Sequence, residues 1–170
     1  MSTGTFAAMR RLAPLGPGTA GTRPEDSQHV RRASSAHDHD ILTTAEGSPR
    51  LGVFVDFMRA AGLATLLLGD GPFTVFAPTE RAFLKLSLRE RDALLADPRR
   101  LSRVMRGHVI AGHVRLPRGG ASHPVSTLDG DSRTLTSHED GTSEIGRVRI
   151  VQSNIPASNG TIHAIDSVLL

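Results

Sequence analysis

The 170-residue chain contains no cysteine, no tryptophan and no tyrosine, and it has a single lysine, Lys85, beside 19 arginines. The missing cysteines exclude disulfide frameworks, thiolate nucleophiles and Cys-ligated zinc or iron–sulfur centres together. They leave the compartment open, because a core of this size needs no disulfides even outside a cell. Six phenylalanines are the whole aromatic complement. So few flat faces weigh against single-stranded nucleic acid and carbohydrate as ligands. Long apolar runs are lacking too: the longest candidate, Ala60 to Leu68, is interrupted by Gly62 and falls well short of the ~20 residues a spanning helix requires.

A sequence pI near 10.8 sits beside a formal net charge of only +3. With almost no Lys, Cys or Tyr, little titrates between pH 8 and the arginine range, so a small positive excess persists to very alkaline pH. The placement of the charge is more informative. Arg81 to Arg118 holds ten Lys/Arg against three acids, whereas residues 119–170 hold three Arg against six acids. With 38% hydrophobic residues and 17 glycines, the composition is that of a globular chain with one core.

Residues 1–37 are rich in Gly, Pro, Ser and Thr and show no apolar period, which predicts a flexible or processed N-terminal tail. Arg10-Arg11 precedes a stretch broken by Pro14, Gly16, Pro17 and Gly18, so no export signal with a continuous apolar segment is legible. From residue 38 onward the texture is that of a folded domain, 38–170. A short helix is expected from His39 or Asp40 to Glu46. A second is expected after Ser48-Pro49, with Leu51, Phe54, Val55 and Met58 on one face. Phe73 to Phe76 reads as a strand, followed by a helix capped by Thr79. Ser87 and Glu90 have capping-box spacing, Asp97-Pro98 opens the next helix, and Gly107 is placed to end it in a left-handed turn. Strands are then expected at Val125–Leu128, Arg133–Ser137, Arg147–Val151 and Ile162–Leu169, so helices precede strands in an α+β domain.

Catalytic signals are thin. Gly16-Pro17-Gly18-Thr19-Ala20-Gly21 spells a dinucleotide fingerprint, but no strand precedes it and Pro17 lacks the N–H that a phosphate needs. His37-Asp38-His39-Asp40 could offer imidazole and carboxylate ligands, yet Asp38 or Asp40 serves equally as a helix cap. His108 closes an apolar helical stripe with Leu101, Val104 and Met105, which fits a buried histidine bonded to backbone better than a proton shuttle. No nucleophile elbow, phosphate loop or zinc-protease helix occurs, so no catalytic residue, cofactor or metal is assigned. Asn159-Gly160-Thr161 is a glycosylation sequon by letter, and a turn before a strand accounts for it equally well. Arg99, Arg100, Arg103 and Arg106 are candidate anion-binding residues, for acidic polymers or lipid headgroups.

Two longer stretches carry a resemblance. Phe73-Thr74-Val75-Phe76-Ala77-Pro78-Thr79-Glu80-Arg81-Ala82-Phe83 resembles the first signature block of fasciclin domains, and Asn159-Gly160-Thr161-Ile162-His163-Ala164-Ile165-Asp166-Ser167-Val168-Leu169 resembles the second. The fold-motif residues are Phe73, Phe76, Pro78, Thr79, Phe83, Asn159, Gly160, Ile162, His163 and Asp166. We expect Phe76 to pack on Phe83, the two blocks to meet, and Asp166 to bond to backbone near the Pro78-Thr79 corner. The resemblance implies a wedge or sandwich of about seven short strands beside a helical cluster. It also implies a non-enzymatic adhesion or binding role, outside the cell or at its surface, toward a protein partner or a second copy. The family's partner patch would fall at His108, Val109 and Ile110. Gly107 stands where the family has Tyr, which removes an aromatic anchor.

Overall fold

The computed structural model describes residues 38–170. The expected tail over 1–37, with its Gly-rich segment and His37, lies outside the described residues.

Three helices come first: α1 (Ile41–Glu46), α2 (Gly52–Ala60) and α3 (Ala64–Leu67). Asp40 starts α1, its Oδ1 accepting the Thr43 N–H at 2.8 Å. Ser48-Pro49 does not open α2, which begins three residues later at Gly52. Ser48 instead accepts the Leu51 N–H in a single turn, so the Ser-Pro signal was spent on the connection. Strand β1 (Phe73–Pro78) leads through α4 (Glu80–Leu84) and α5 (Leu88–Ala96) to α6 (Pro98–Arg106). Ser87 and Glu90 form the full capping box on α5, and Asp97 accepts the Arg99 and Arg100 amides at the start of α6. Gly107 ends α6 with φ −64°, not in the left-handed region. A Cβ there would lie 2.7 Å from Asp129 Oδ2, so any larger residue requires the Asp129 side chain to shift.

The remaining strands are β2 (Val109–Ala111), β3 (Ser122–Ser126), β4 (Ser132–Ser137), β5 (Ser143–Ile145), β6 (Val148–Ala157) and β7 (Gly160–Ile165). They make one seven-stranded sheet with β1, in the order β2-β1-β7-β6-β5-β4-β3, antiparallel except for the parallel β1–β7 pair. Two strands, β2 and β5, had no counterpart among the sequence expectations; at three residues each they carry no period of their own. The third strand runs Ser122–Ser126 rather than Val125–Leu128.

Alternation along β1 and β7 divides the core in two. Val75, Ala77, Ile162 and Ala164 face the helices, packed with Ile41, Phe54, Met58, Leu101 and Met105. Phe76 and Ile165 face the other way and share a second cluster with Val125, Leu135, Ile145 and Ile150. Since β3 and β1 stand near opposite ends of the strand order, these side chains can meet only if the sheet curls over itself. Register shifts in β6 between Ile150 and Ile155 supply local bends of the kind this requires.

This division overturns one expected contact. Phe76 and Phe83 lie in different clusters. Phe83 packs on Phe57 with ring centroids 4.6 Å apart, and Phe76 stacks on His163 at 5.2 Å. The strand's two-residue alternation sends Phe76 away from the helical face, whereas Phe83 is carried by the helix that follows.

Candidate functional site

The two signature segments do meet. The parallel ladder pairs Phe73 with Gly160 and continues to Pro78 beside Ile165, and beyond it the Thr79 N–H donates to the Ile165 carbonyl at 3.0 Å. Thr79 precedes α4 without a side-chain capping bond, contrary to expectation; the helix start is held by its backbone carbonyl, which accepts from Ala82 at 2.8 Å. Asn159 joins the segments at the other end. Its Oδ1 accepts the Ile41 N–H at 2.9 Å, and its Nδ2 donates to the carbonyls of Leu67 at 2.7 Å and Gly69 at 2.8 Å. Its own carbonyl accepts from Phe73. Both amide hydrogens are committed and the residue is buried, so Asn159 offers no acceptor for a glycan in the folded domain. Any Cβ at Gly160 would overlap the Phe73 carbonyl, which explains glycine there without invoking function.

Asp166 departs from the expectation. It follows the last ladder residue, and its carboxylate meets Lys85 Nζ at 3.0 Å and the Ser167 hydroxyl at 3.2 Å rather than the Pro78-Thr79 backbone. Partial burial pushes the Asp166 carboxyl upward. The Lys85 bond and charge, with Ser167 and the Arg149 backbone, outweigh it and leave the group below its ordinary value. The pair borders a cleft of about 540 Å³ lined also by Arg50, Thr79, Glu80 and Arg81. Sequence reasoning gave Lys85 no role, although its being the only lysine was a signal.

His108 is fully buried. Its Nε2 accepts the Leu169 N–H at 3.0 Å, so the ring proton sits on Nδ1, 2.8 Å from the Val104 carbonyl. Val109 and Ile110 are buried as well. His108 and Val109 therefore present no side-chain surface to a partner, because the apolar stripe that ends α6 continues into the core, and Ile110 reaches only the floor of a neighbouring groove. His163, also fully buried, accepts the Asn154 N–H on Nδ1, and its Nε2 has no partner. Burial lowers both histidines to about 4. Two neutral rings sealed in the core, with no carboxylate bonded to either, are not arranged as an acid–base pair. Among the described residues no cluster of three or more His, Asp or Glu is placed to hold a metal.

The four α6 arginines are all exposed. Arg99, Arg103 and Arg106 recur at helical spacing and line one groove of about 440 Å³ with Ser102, Leu128 and Asp129. Arg100 is not in it and lies near Glu90, whose carboxyl Ser87 and, more weakly, Arg100 hold low. Asp129 is partly buried, which raises its carboxyl, but bonds from Thr127 and Asp131 and the nearby Arg133 bring it below its usual value. Among the described residues, none of these four guanidinium groups makes an ion pair.

Comparison with known proteins fits this geometry. Protein sll1483 of Synechocystis is 32% identical over 148 residues, covering 86% of this chain and 81% of that protein. The cell surface glycolipoprotein MPT83 of Mycobacterium tuberculosis is 30% identical over 159 residues, with 92% of this chain and 66% of that protein covered. The transforming growth factor-beta-induced protein ig-h3 of Sus scrofa is 32% identical over 131 residues, but this chain spans only 19% of its length. A solved FAS1 domain pair from the insect cell adhesion molecule Fasciclin I superposes with a TM-score of 0.62 at 18% identity, over 78% of this chain and 51% of that one, and shares the fold. The family model described as the fasciclin domain matches residues 49–170, a span that contains both signature segments and the ladder joining them, and the chain belongs to that family.

Proposed function

We propose that this chain is a non-enzymatic adhesion and binding module, working outside the cell or at its surface on a protein partner or on a second copy of itself. One observation carries the reading: the side chains best equipped for chemistry, His108, His163 and Asn159, are buried in the core, the first and last bonded to backbone on every polar side-chain atom. What remains for function is surface. The insect cell adhesion molecule that shares the fold and the cell-surface relative support the setting. Beads coated with the protein test it: they should clump together, or be held on a matrix-protein or cell layer, more than beads coated with albumin. Beads that do neither would remove the adhesive reading.

A second reading is favoured by the groove on α6, where Arg99, Arg103 and Arg106 face solvent beside a single carboxylate, Asp129, and make no ion pair among the described residues. Three cations in a row suit a polymer or lipid surface bearing sulfate or phosphate groups.

A further inference from the structure

Among the described residues the sheet has two open edges, β2 and β3, and they border the same groove of about 540 Å³. At one end the edges touch, where the Leu128 N–H donates to the Val109 carbonyl at 2.8 Å. Beyond that point they are apart. The Gly112 amide donates to the Pro72 carbonyl, and the Thr74 hydroxyl donates to the Gly112 carbonyl at 2.8 Å and accepts the Val114 N–H at 2.9 Å. This binds the run after β2 to the buried Thr74 through alternate residues. Ala111 ends β2 with its backbone groups on the side away from β1; Gly112 then bends at φ +108°, and among the described residues the His113 and Arg115 amides make no bond to β1. Side chains alternate as well: Ala111, His113 and Arg115 are exposed, while Ile110 is buried and Val114 and Leu116 pack on the second core.

The facing edge is less inviting. Pro124 interrupts β3 with a residue that cannot donate, at a position whose backbone faces away from β4. The β2 side is thus the more complete template, with Ile110, Val114 and Val125 supplying an apolar floor and Arg115 a fixed positive charge. His113 and His123 add ring nitrogens, and among the described residues no carboxylate lines the groove.

We propose that the β2 edge, continued through His113 and Arg115, receives an extended peptide segment of a partner protein by strand addition, the segment alternating apolar and acidic residues. Backbone pairing at Ala111, His113 and Arg115 supplies the affinity. The apolar floor takes every second side chain, and the absence of any carboxylate opposite Arg115 selects an acidic partner. The proposal rests on the reading of this chain as a binding module and gives that module its contact surface.

The test uses the full chain and a labelled peptide of about eight residues alternating Val and Glu. NMR-detected amide exchange at Ala111, His113 and Arg115 should slow about ten-fold on saturation, with shifts confined to this groove. Replacing Glu by Lys in the peptide, or Arg115→Glu in the protein, should weaken binding about ten-fold; Arg115 is exposed, so the fold is kept. Methylating the peptide amides that face β2 should abolish binding. No binding up to about 1 mM, shifts elsewhere, or equal binding of the methylated peptide would overturn the proposal. So would concentration-dependent protection of the same amides without peptide, which assigns the edge to a second copy. Beads that adhere while the peptide fails would leave the adhesive role standing and remove only this groove.

Discussion

His108 ties the last helix to the end of the chain: its ring lies between the Val104 carbonyl, 2.8 Å from Nδ1, and the Leu169 amide, 3.0 Å from Nε2. The bond to Leu169 requires an unprotonated Nε2. Protonation would turn that acceptor into a second donor facing an N–H, inside a core with no carboxylate bonded to the ring.

Acid should therefore weaken the fold within a defined window. Both His108 and His163 titrate at 6.5 when unfolded but at about 4 in the folded chain. Between these values the unfolded state holds more protons, so stability is complete above pH 6.5 and is lost as pH falls toward 4. Each histidine contributes up to about 3 kcal/mol to the loss. Urea unfolding at pH 7 and pH 4.5 should show the drop, and it should shrink by roughly half in His163→Gln. A flat profile would mean the rings are not sealed in as neutral groups.

Deleting the two phenylalanine anchors separates the two cores. Phe76→Ala should cost about 3–5 kcal/mol, a large part of the stability of a domain this size, and Phe83→Ala should cost a similar amount. Because the rings lie in different clusters, the double variant should be additive to within about 0.5 kcal/mol where it still folds. Marked coupling in urea titrations of Phe76→Leu, Phe83→Leu and their combination would argue that the rings touch after all.

Asn159→Ala leaves the Ile41 amide and the Leu67 and Gly69 carbonyls without their side-chain partner, at a cost of about 3 kcal/mol. Asn159→Asp keeps one acceptor but sets a carboxylate against two carbonyls, and should be at least as damaging. Expressed in a glycosylating host, the wild-type chain should carry no sugar at this position. Mass spectrometry of the intact protein would expose a glycan and contradict the buried geometry.

Retention on heparin tests the α6 groove. Arg99, Arg103 and Arg106 together changed to Ser should lower the eluting salt concentration and flatten its dependence, by release of fewer counterions. Arg100→Ser should do less, since that side chain is outside the groove. Equal effects from all four positions would mean a diffuse basic helix face.

The local features were readable in the residues because the signals are local. The Ser87–Glu90 capping box, the Asp97-Pro98 start of α6 and the β1 strand each depend on a few neighbouring side chains. Two local signals have a different outcome in the fold: Gly107 ends α6 with a right-handed φ, its amide still bonded to the Arg103 carbonyl, and Ser48 closes a turn with Leu51 while α2 starts later. Strands β2 and β5 could not be seen, since three residues hold no period and their pairing comes from β1, β4 and β6.

Read alone, the chain determined its class of architecture and the two fasciclin segments that hold β1 and β7, because those properties are carried by residue type and spacing. Tertiary structure decided which faces those strands turn to which core. It withdrew Val109 and Ile110 into the core, tied His108 to Leu169, and gave Asp166 to Lys85. The two bonds join residues far apart in sequence, and such meetings leave no local mark in the sequence.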